Sequence, residues 1–181
     1  MQKALKRRMR KIEREITDTY GDINLGSPKQ LGDLIYGTLG QPVLERTPGG
    51  LPSTSESSLQ TLAQTCRDEK VKGLLASVLQ YRADHKMIET YLNNLIEGMD
   101  EAHRVHPSFH ITGTVTGRLS CSAPNLQNIP RDAAGPKSVI CASEGFTLVQ
   151  ADYSQIELRV GASLSGDERM LSLLRSGEDL H

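Results

Sequence analysis

The sequence predicts an α+β fold, and three observations predict it. Apolar residues in the first half recur at helical spacing. The composition turns to Thr, Val and Gly after Pro107, and "GFTLVQAD" alternates in the manner of a half-buried strand. With 181 residues, of which 37% are apolar, the chain has room for one ordinary domain or two small ones. The spacing places a helical region over 1–104 and a mixed region over 105–181.

The helical elements carry start signals. In "GSPKQLGDLIYGTLG", Ser27 suits the N-cap, Pro28 the first helical position, and Gln30 closes a capping box. Leu31, Leu34, Ile35 and Leu39 then trace one apolar face until Gly40 ends it. "GQPVLERTPGGLPSTSE" follows as an exposed connector whose Pro-Gly-Gly centre cannot continue a helix. Ser53 and Glu56 form a second capping box before Leu59, Leu62 and Ala63. The strongest periodicity runs through Val71, Leu74, Leu75, Val78 and Leu79 to Ile88, Tyr91, Leu92, Leu95, Ile96 and Met99. A helix of about thirty residues would reach about 45 Å.

Composition excludes several function classes. No tryptophan, two phenylalanines and five tyrosines give few platforms for stacking unpaired bases. A net charge of −1 leaves no global pull on nucleic acid, so any such contact comes from local patches. One patch is the opening "MQKALKRRMRKIER", whose alternative reading is a solvated helix end. No apolar stretch follows it to make a secretory signal, and no window of about 18 apolar residues predicts a membrane span. Cys66, Cys121 and Cys141 are odd in number and form no CxxC pair, which disfavours a disulfide framework and a cysteine zinc site. A reducing, cytoplasmic setting fits best. His103, His106 and His110 lack nearby cysteines and a regular helix across Pro107, so a shared zinc site is not expected.

"TLVQADYSQIELRVGASL" is the informative stretch. Asp152 ends the predicted strand. Ser154 is the expected N-cap of a helix with Glu157 three residues on and Ile156, Val160 and Leu164 pointing inward. A carboxylate at a strand tip is rigid and near solvent, where Mg²⁺ can take one or two protein oxygens and leave its other positions to phosphates and water. Capping and solvated aspartates also occupy such tips, and spacing alone does not choose between the roles.

"DYSQIELRV" resembles the first palm motif of family A DNA polymerases, and "TGTVTGRLSCSAPNLQNIP" resembles that family's other hallmark of this region. The resemblance implies that Asp152 holds both catalytic Mg²⁺ ions, with Tyr153 offering its backbone carbonyl to one of them. It makes Glu157 a steric gate against a ribose 2′-hydroxyl, whereas spacing makes it the capping partner of Ser154; the two readings are compatible. Arg118, Asn125, Gln127 and Asn128 would line the minor groove, which presents a purine N3 or pyrimidine O2 acceptor at every correct pair. As plain sequence, Asn and Gln between Pro124 and Pro130 are ordinary turn residues. Arg82 and Lys86 in "YRADHKMIETY" match the thumb pattern that grips duplex phosphates, against the simpler reading of a solvated polar face.

The resemblance covers nearly the whole chain, with 1–104 like the thumb and the remainder like the beginning of the antiparallel-sheet palm. It departs in "RDAAGPKSVICASEG", which is short and leaves Lys137 as the counterpart of an arginine. "GEDLH" stands where the fingers would begin, so an incomplete polymerase domain without the fingers helix or the second carboxylate is expected. The implied activity is template-directed DNA synthesis by two-metal phosphoryl transfer, with primer–template DNA and deoxynucleoside triphosphates as partners, no membrane, and a monomer. The 181 residues by themselves are expected to be inactive. The alternatives are a non-catalytic duplex-DNA-binding remnant, and a partner-binding rod that would explain the long helix but not "DYSQIELRV".

Overall fold

The protein is described here by a computed structural model, which covers residues 1–130 and 136–178. Its packing forms two units, Met1–Val139 and Ile140–His181. Residues 105–139, expected with the second region, lie within the first unit.

The first unit is built around a helix pair. Helix α1 (Gln2–Tyr20) buries Ile12 and Ile16, one turn apart, and ends at Gly21, whose φ of 88° suits glycine. Helix α2 (Pro28–Gly32) starts as the sequence predicts, with the Ser27 hydroxyl accepting the Gln30 N–H. The Gln30 side chain, however, accepts the Asn24 N–H at 2.8 Å, so the box closes on the preceding loop and not on Ser27. The helical path then widens over Asp33–Thr38, and the Leu39 N–H reaches back five residues to the Leu34 carbonyl. Leu31, Leu34 and Ile35 are buried, as their spacing requires.

Helix α3 (Glu56–Thr65) is capped by Ser55, not Ser53. Ser53 is buried, with its N–H bonded to the Glu45 carbonyl and its hydroxyl accepting from Ser55 N–H and Ser58 Oγ–H. Tied into the connector in this way, Ser53 is unavailable to the helix, and the next serine caps it.

The rod exists. Asp68 caps helix α4 (Glu69–Lys86), which passes through a widened turn (Met87–Leu92) into helix α5 (Asn93–Glu97) without a break. In the widened turn the Asn93 N–H reaches the Ile88 carbonyl, five residues back. The extra residue rotates the apolar stripe: Ile88, Leu92 and Leu95 are buried, while Ile96 and Met99, which lie on the predicted stripe, are exposed. Ile12 and Ile16 join Val71, Leu74, Leu75, Val78 and the α2 and α3 leucines in one core.

Polar bonds fix α1 on the rod of α4 and α5. Arg8 binds both oxygens of Asp84, which is only 3% exposed and also accepts from Gln80 Nε2 at 2.9 Å. Tyr81 donates to Glu13 at 2.8 Å, and burial together with this carboxylate pushes its phenol up to about 12. Gln2 donates to Asn93 at 2.7 Å. Among the described residues no helix is long and apolar enough to cross a membrane.

After the rod, strands β1 (Ser108–His110) and β2 (Ser120–Ser122) pair antiparallel, with Phe109 opposite Cys121. A short 3₁₀ turn spans Pro136–Val139 and carries the exposed Lys137, while residues 131–135 of the short "RDAAGPKSVICASEG" segment lie outside the described residues.

The second unit pairs helices α6 (Ile156–Ser165) and α7 (Glu168–Ser176), which bury Ala162 and Leu174. "GFTLVQAD" forms no strand, and Phe146, Leu148 and Val149 are 77%, 62% and 88% exposed. A strand exists only where a neighbour takes its N–H and C=O groups, and no described segment pairs with this one. Ser154 does not cap α6: Gln155 precedes it in a left-handed conformation, and the Ser154 carbonyl accepts from Arg159 Nε at 2.8 Å. Ile156, Val160 and Leu164, expected inward, are exposed, because α7 covers only the Ala162 side of the helix.

Candidate nucleic-acid interface and palm carboxylate

The loop between β2 and Pro130 is shaped by its own amides and anchored on the rod. Asn125 Oδ1 accepts the Gln127 N–H at 3.0 Å, and Gln127 Nε2 donates to the Leu119 carbonyl at 3.1 Å. Gln127 thus spends one of its two side-chain N–H donors on the loop, while Asn125 and Asn128 are exposed. Cys121 and Ile129 are buried beneath. A cavity of about 100 Å³ lies between Tyr91, Asn94 and Leu95 of the rod and Pro124, Asn125 and Asn128 of the loop. A Cβ at Gly98 would stand 3.1 Å from Pro124 Cδ and from the Asn94 carbonyl, so glycine permits this close approach. Arg118 is exposed on the loop between the strands, where its carbonyl accepts from Thr114 Oγ1 at 2.7 Å. The first unit therefore brings Arg118, Asn125, Gln127 and Asn128 into one surface segment. Sequence reasoning missed the supports, Tyr91, Asn94 and Gly98; the one signal available was a glycine closing an otherwise uninterrupted helix.

His106 and His110 have separate partners. His106 meets Asp100 at 2.8 Å and His110 meets Ser122 at 2.8 Å. The Arg104 N–H and then His106 hold the Asp100 carboxyl below its usual range.

Arg82 departs from the expected polar face. Its Nε donates to the Leu25 carbonyl at 3.1 Å and its Nη1 to the Thr54 carbonyl, while Nη2 is buried without a partner among the described residues. Burial draws its pKa below the usual arginine value. The guanidinium fork bridges two loops that end without helical partners for their carbonyls, which a solvated helix face would not do. Lys86, one turn on, is exposed.

In the second unit, Asp152, Tyr153 and Glu157 are all exposed, Tyr153 at 80%. Asp152 and Tyr153 lie outside any regular element, just before the turn that leads into α6, with Glu157 in the first turn of that helix. No described residue hydrogen-bonds the Asp152 carboxylate, so its oxygens and the adjoining Tyr153 carbonyl suit a hard cation that keeps its remaining positions for phosphate and water. The described residues gather no cluster of three or more His, Cys, Asp or Glu that could enclose a metal. Asp152 fits an open, substrate-sharing site and does not fit a closed one.

With the geometry in place, the pattern that characterises DNA polymerase family A matches residues 1–181. The chain belongs to DNA polymerase family A. DNA polymerase I of Pseudomonas aeruginosa is 43% identical over 184 residues, covering 99% of this family A chain and 20% of that protein. The thermostable DNA polymerase I of Thermus thermophilus is 39% identical over 179 residues, covering 96% and 21%. The chain therefore spans about a fifth of the length of these relatives. Among solved structures, the POL domain of Pol1 from M. smegmatis, in complex with DNA primer-template and dNTP, matches with a TM-score of 0.83 and 33% identity, over 99% of this chain and 32% of that one. The α+β fold of an incomplete polymerase domain is thereby established.

Proposed function

We propose that these residues serve template-directed DNA synthesis, in which a deoxynucleotide is joined to a primer 3′-hydroxyl, in a cytoplasmic, monomeric enzyme. The observation that carries the reading is an exposed, unspent Asp152 beside Tyr153, in a chain whose whole length belongs to the polymerase family.

Each group has a part in this reading. Asp152, with the Tyr153 carbonyl, would hold Mg²⁺, which when bound neutralises phosphate charge and acidifies the primer hydroxyl. Arg118 offers a fork of donors to minor-groove acceptors near the primer end, and Asn125 and Asn128 offer amide donors. Gln127 shapes their loop through Leu119 and contacts DNA through what remains of its amide. Lys86 contacts duplex phosphates, which positions the duplex without reading its sequence. Arg82 contributes from beneath, by fixing the thumb loops around Leu25 and Thr54. Two metal ions need a second carboxylate beyond Asp152, so the 181 residues alone do not extend primer–template. Deoxynucleotide and primer-template partners are those of the M. smegmatis complex, and they support the same assignment here.

Glu157 supplies the test. In a polymerase domain carrying these residues, Glu157→Ala is expected to keep deoxynucleotide extension and to reduce discrimination against ribonucleotides on the order of a hundredfold. Competition between the two nucleotide types in primer extension reads this out. Unchanged discrimination would remove the gate, and an absence of extension by the unaltered domain would remove the function, leaving a non-catalytic duplex-binding protein.

A further inference from the structure

Helix α1 carries a feature that DNA synthesis at Asp152 does not use. Seven of the chain's 21 lysines and arginines lie in its first fourteen residues. With Ile12 and Ile16 buried on one side, helical geometry places Lys3, Arg7, Arg10 and Arg14 on the opposite side, and all four are exposed. Neighbours in this row are three or four residues apart, with Cβ atoms about 5–6 Å apart, and the row is about 17 Å long at 1.5 Å per residue. None of the four pairs with a carboxylate among the described residues; the ion pairs of α1 belong to Arg8 with Asp84 and Lys11 with Glu15. The helix is held by its core face, by Arg8, by Glu13 and by Gln2, so the row has a fixed direction. Like charges at this spacing repel, and the opposite charges of α1 nearest the row, Glu13 three residues from Arg10 and Asp18 four residues from Arg14, form no ion pair with it among the described residues.

We propose that this row binds the sugar–phosphate backbone of duplex DNA, as a contact surface additional to the 118–128 loop and Lys86. The proposal rests on the reading that the chain handles primer–template. The chemistry of the face selects the partner. It has no aromatic side chain on which an unpaired base could stack, which disfavours single strands. It has no apolar anchor of the kind that centres a protein interface. A membrane-surface helix would need its apolar face free, and Ile12 and Ile16 are committed to the core. Regularly spaced, unpaired cations on a rigid helix suit a partner recognised by its phosphates alone.

The test measures the affinity of the purified 181-residue chain for a blunt-ended DNA duplex, which has no primer terminus, across a series of NaCl concentrations. The variant carries Lys3→Gln, Arg7→Gln, Arg10→Gln and Arg14→Gln, and a control removes Arg169 and Arg175, both exposed on α7. Each phosphate contact contributes about 0.9 to the slope of log affinity against log salt. The fourfold variant is expected to bind with a slope shallower by about 3 to 4 and the control with the original slope. Single Arg7→Gln and Arg10→Gln variants, each expected to lose about 0.9, give the same reading if the fourfold variant misfolds. A folded α1 variant with an unchanged slope, or equal losses in variant and control, would overturn the row while leaving the polymerase assignment standing. A native chain that binds no duplex at all would refute the underlying reading as well.

Discussion

Replacing Asp152 with alanine, in a polymerase that carries these residues, is expected to lower primer extension by about a thousandfold or more while leaving affinity for primer–template nearly unchanged. The size follows from the charge that a metal-held oxygen helps to place against the reacting phosphates, which amounts to several kcal/mol of transition-state stabilisation. The selectivity follows from the structure. Asp152 is exposed and accepts no hydrogen bond from a described residue, so its removal takes no support from the fold. Asp152→Asn keeps the shape, loses the charge and is expected to fail similarly. Single-turnover extension alongside a duplex-binding assay separates the two effects. Extension retained in either variant would contradict the role given to this carboxylate.

The second large effect is on stability. Arg8→Ala is expected to cost about 3 kcal/mol of unfolding free energy, because it leaves a nearly buried carboxylate with Gln80 as its one remaining side-chain partner among the described residues. The Arg8 side chain is itself 49% exposed, so the penalty arises at Asp84 and not from the loss of a surface ion pair. Combining Arg8→Ala with Asp84→Ala removes the stranded charge, and the double variant is expected to recover part of the loss. Urea denaturation of the two single variants and the double gives the coupling directly. A cost for Arg8→Ala below about 0.5 kcal/mol, the range of ordinary surface changes, would show that α1 is not fastened here.

The rod was legible in the sequence because its leucines and valines repeat at 3.6 residues over a long stretch, a signal that single exceptions do not erase. Its widened turns were not legible, since the choice between four- and five-residue hydrogen bonds depends on how Ile88, Leu92 and Leu95 meet their neighbours. Capping serines were half legible. Ser27 and Ser53 both stand in capping patterns, but the connector claims Ser53, a tertiary contact that spacing does not encode. The strand ending at Asp152 was predicted from alternation and is absent, because alternation describes a surface ready to be covered and not the cover itself. Asp152, Glu157, Arg118 and the amides were found through family motifs, and their local physics alone left turn, cap and solvated roles open. Arg82 shows the limit of helical-wheel reasoning: a charged residue on a plausible polar face turned inward to serve the Leu25 and Thr54 carbonyls.

In the proposed function, the segment from Arg118 to Asn128 meets the minor groove of paired DNA. Side-chain amide resonances of Asn125 and Asn128 in the 181-residue chain, followed by NMR as a primer–template duplex is added, test it most directly. Both are expected to shift in step with binding, and the Arg118→Ala variant is expected to weaken the titration. Amides that stay in place while the duplex binds elsewhere on the protein would contradict it.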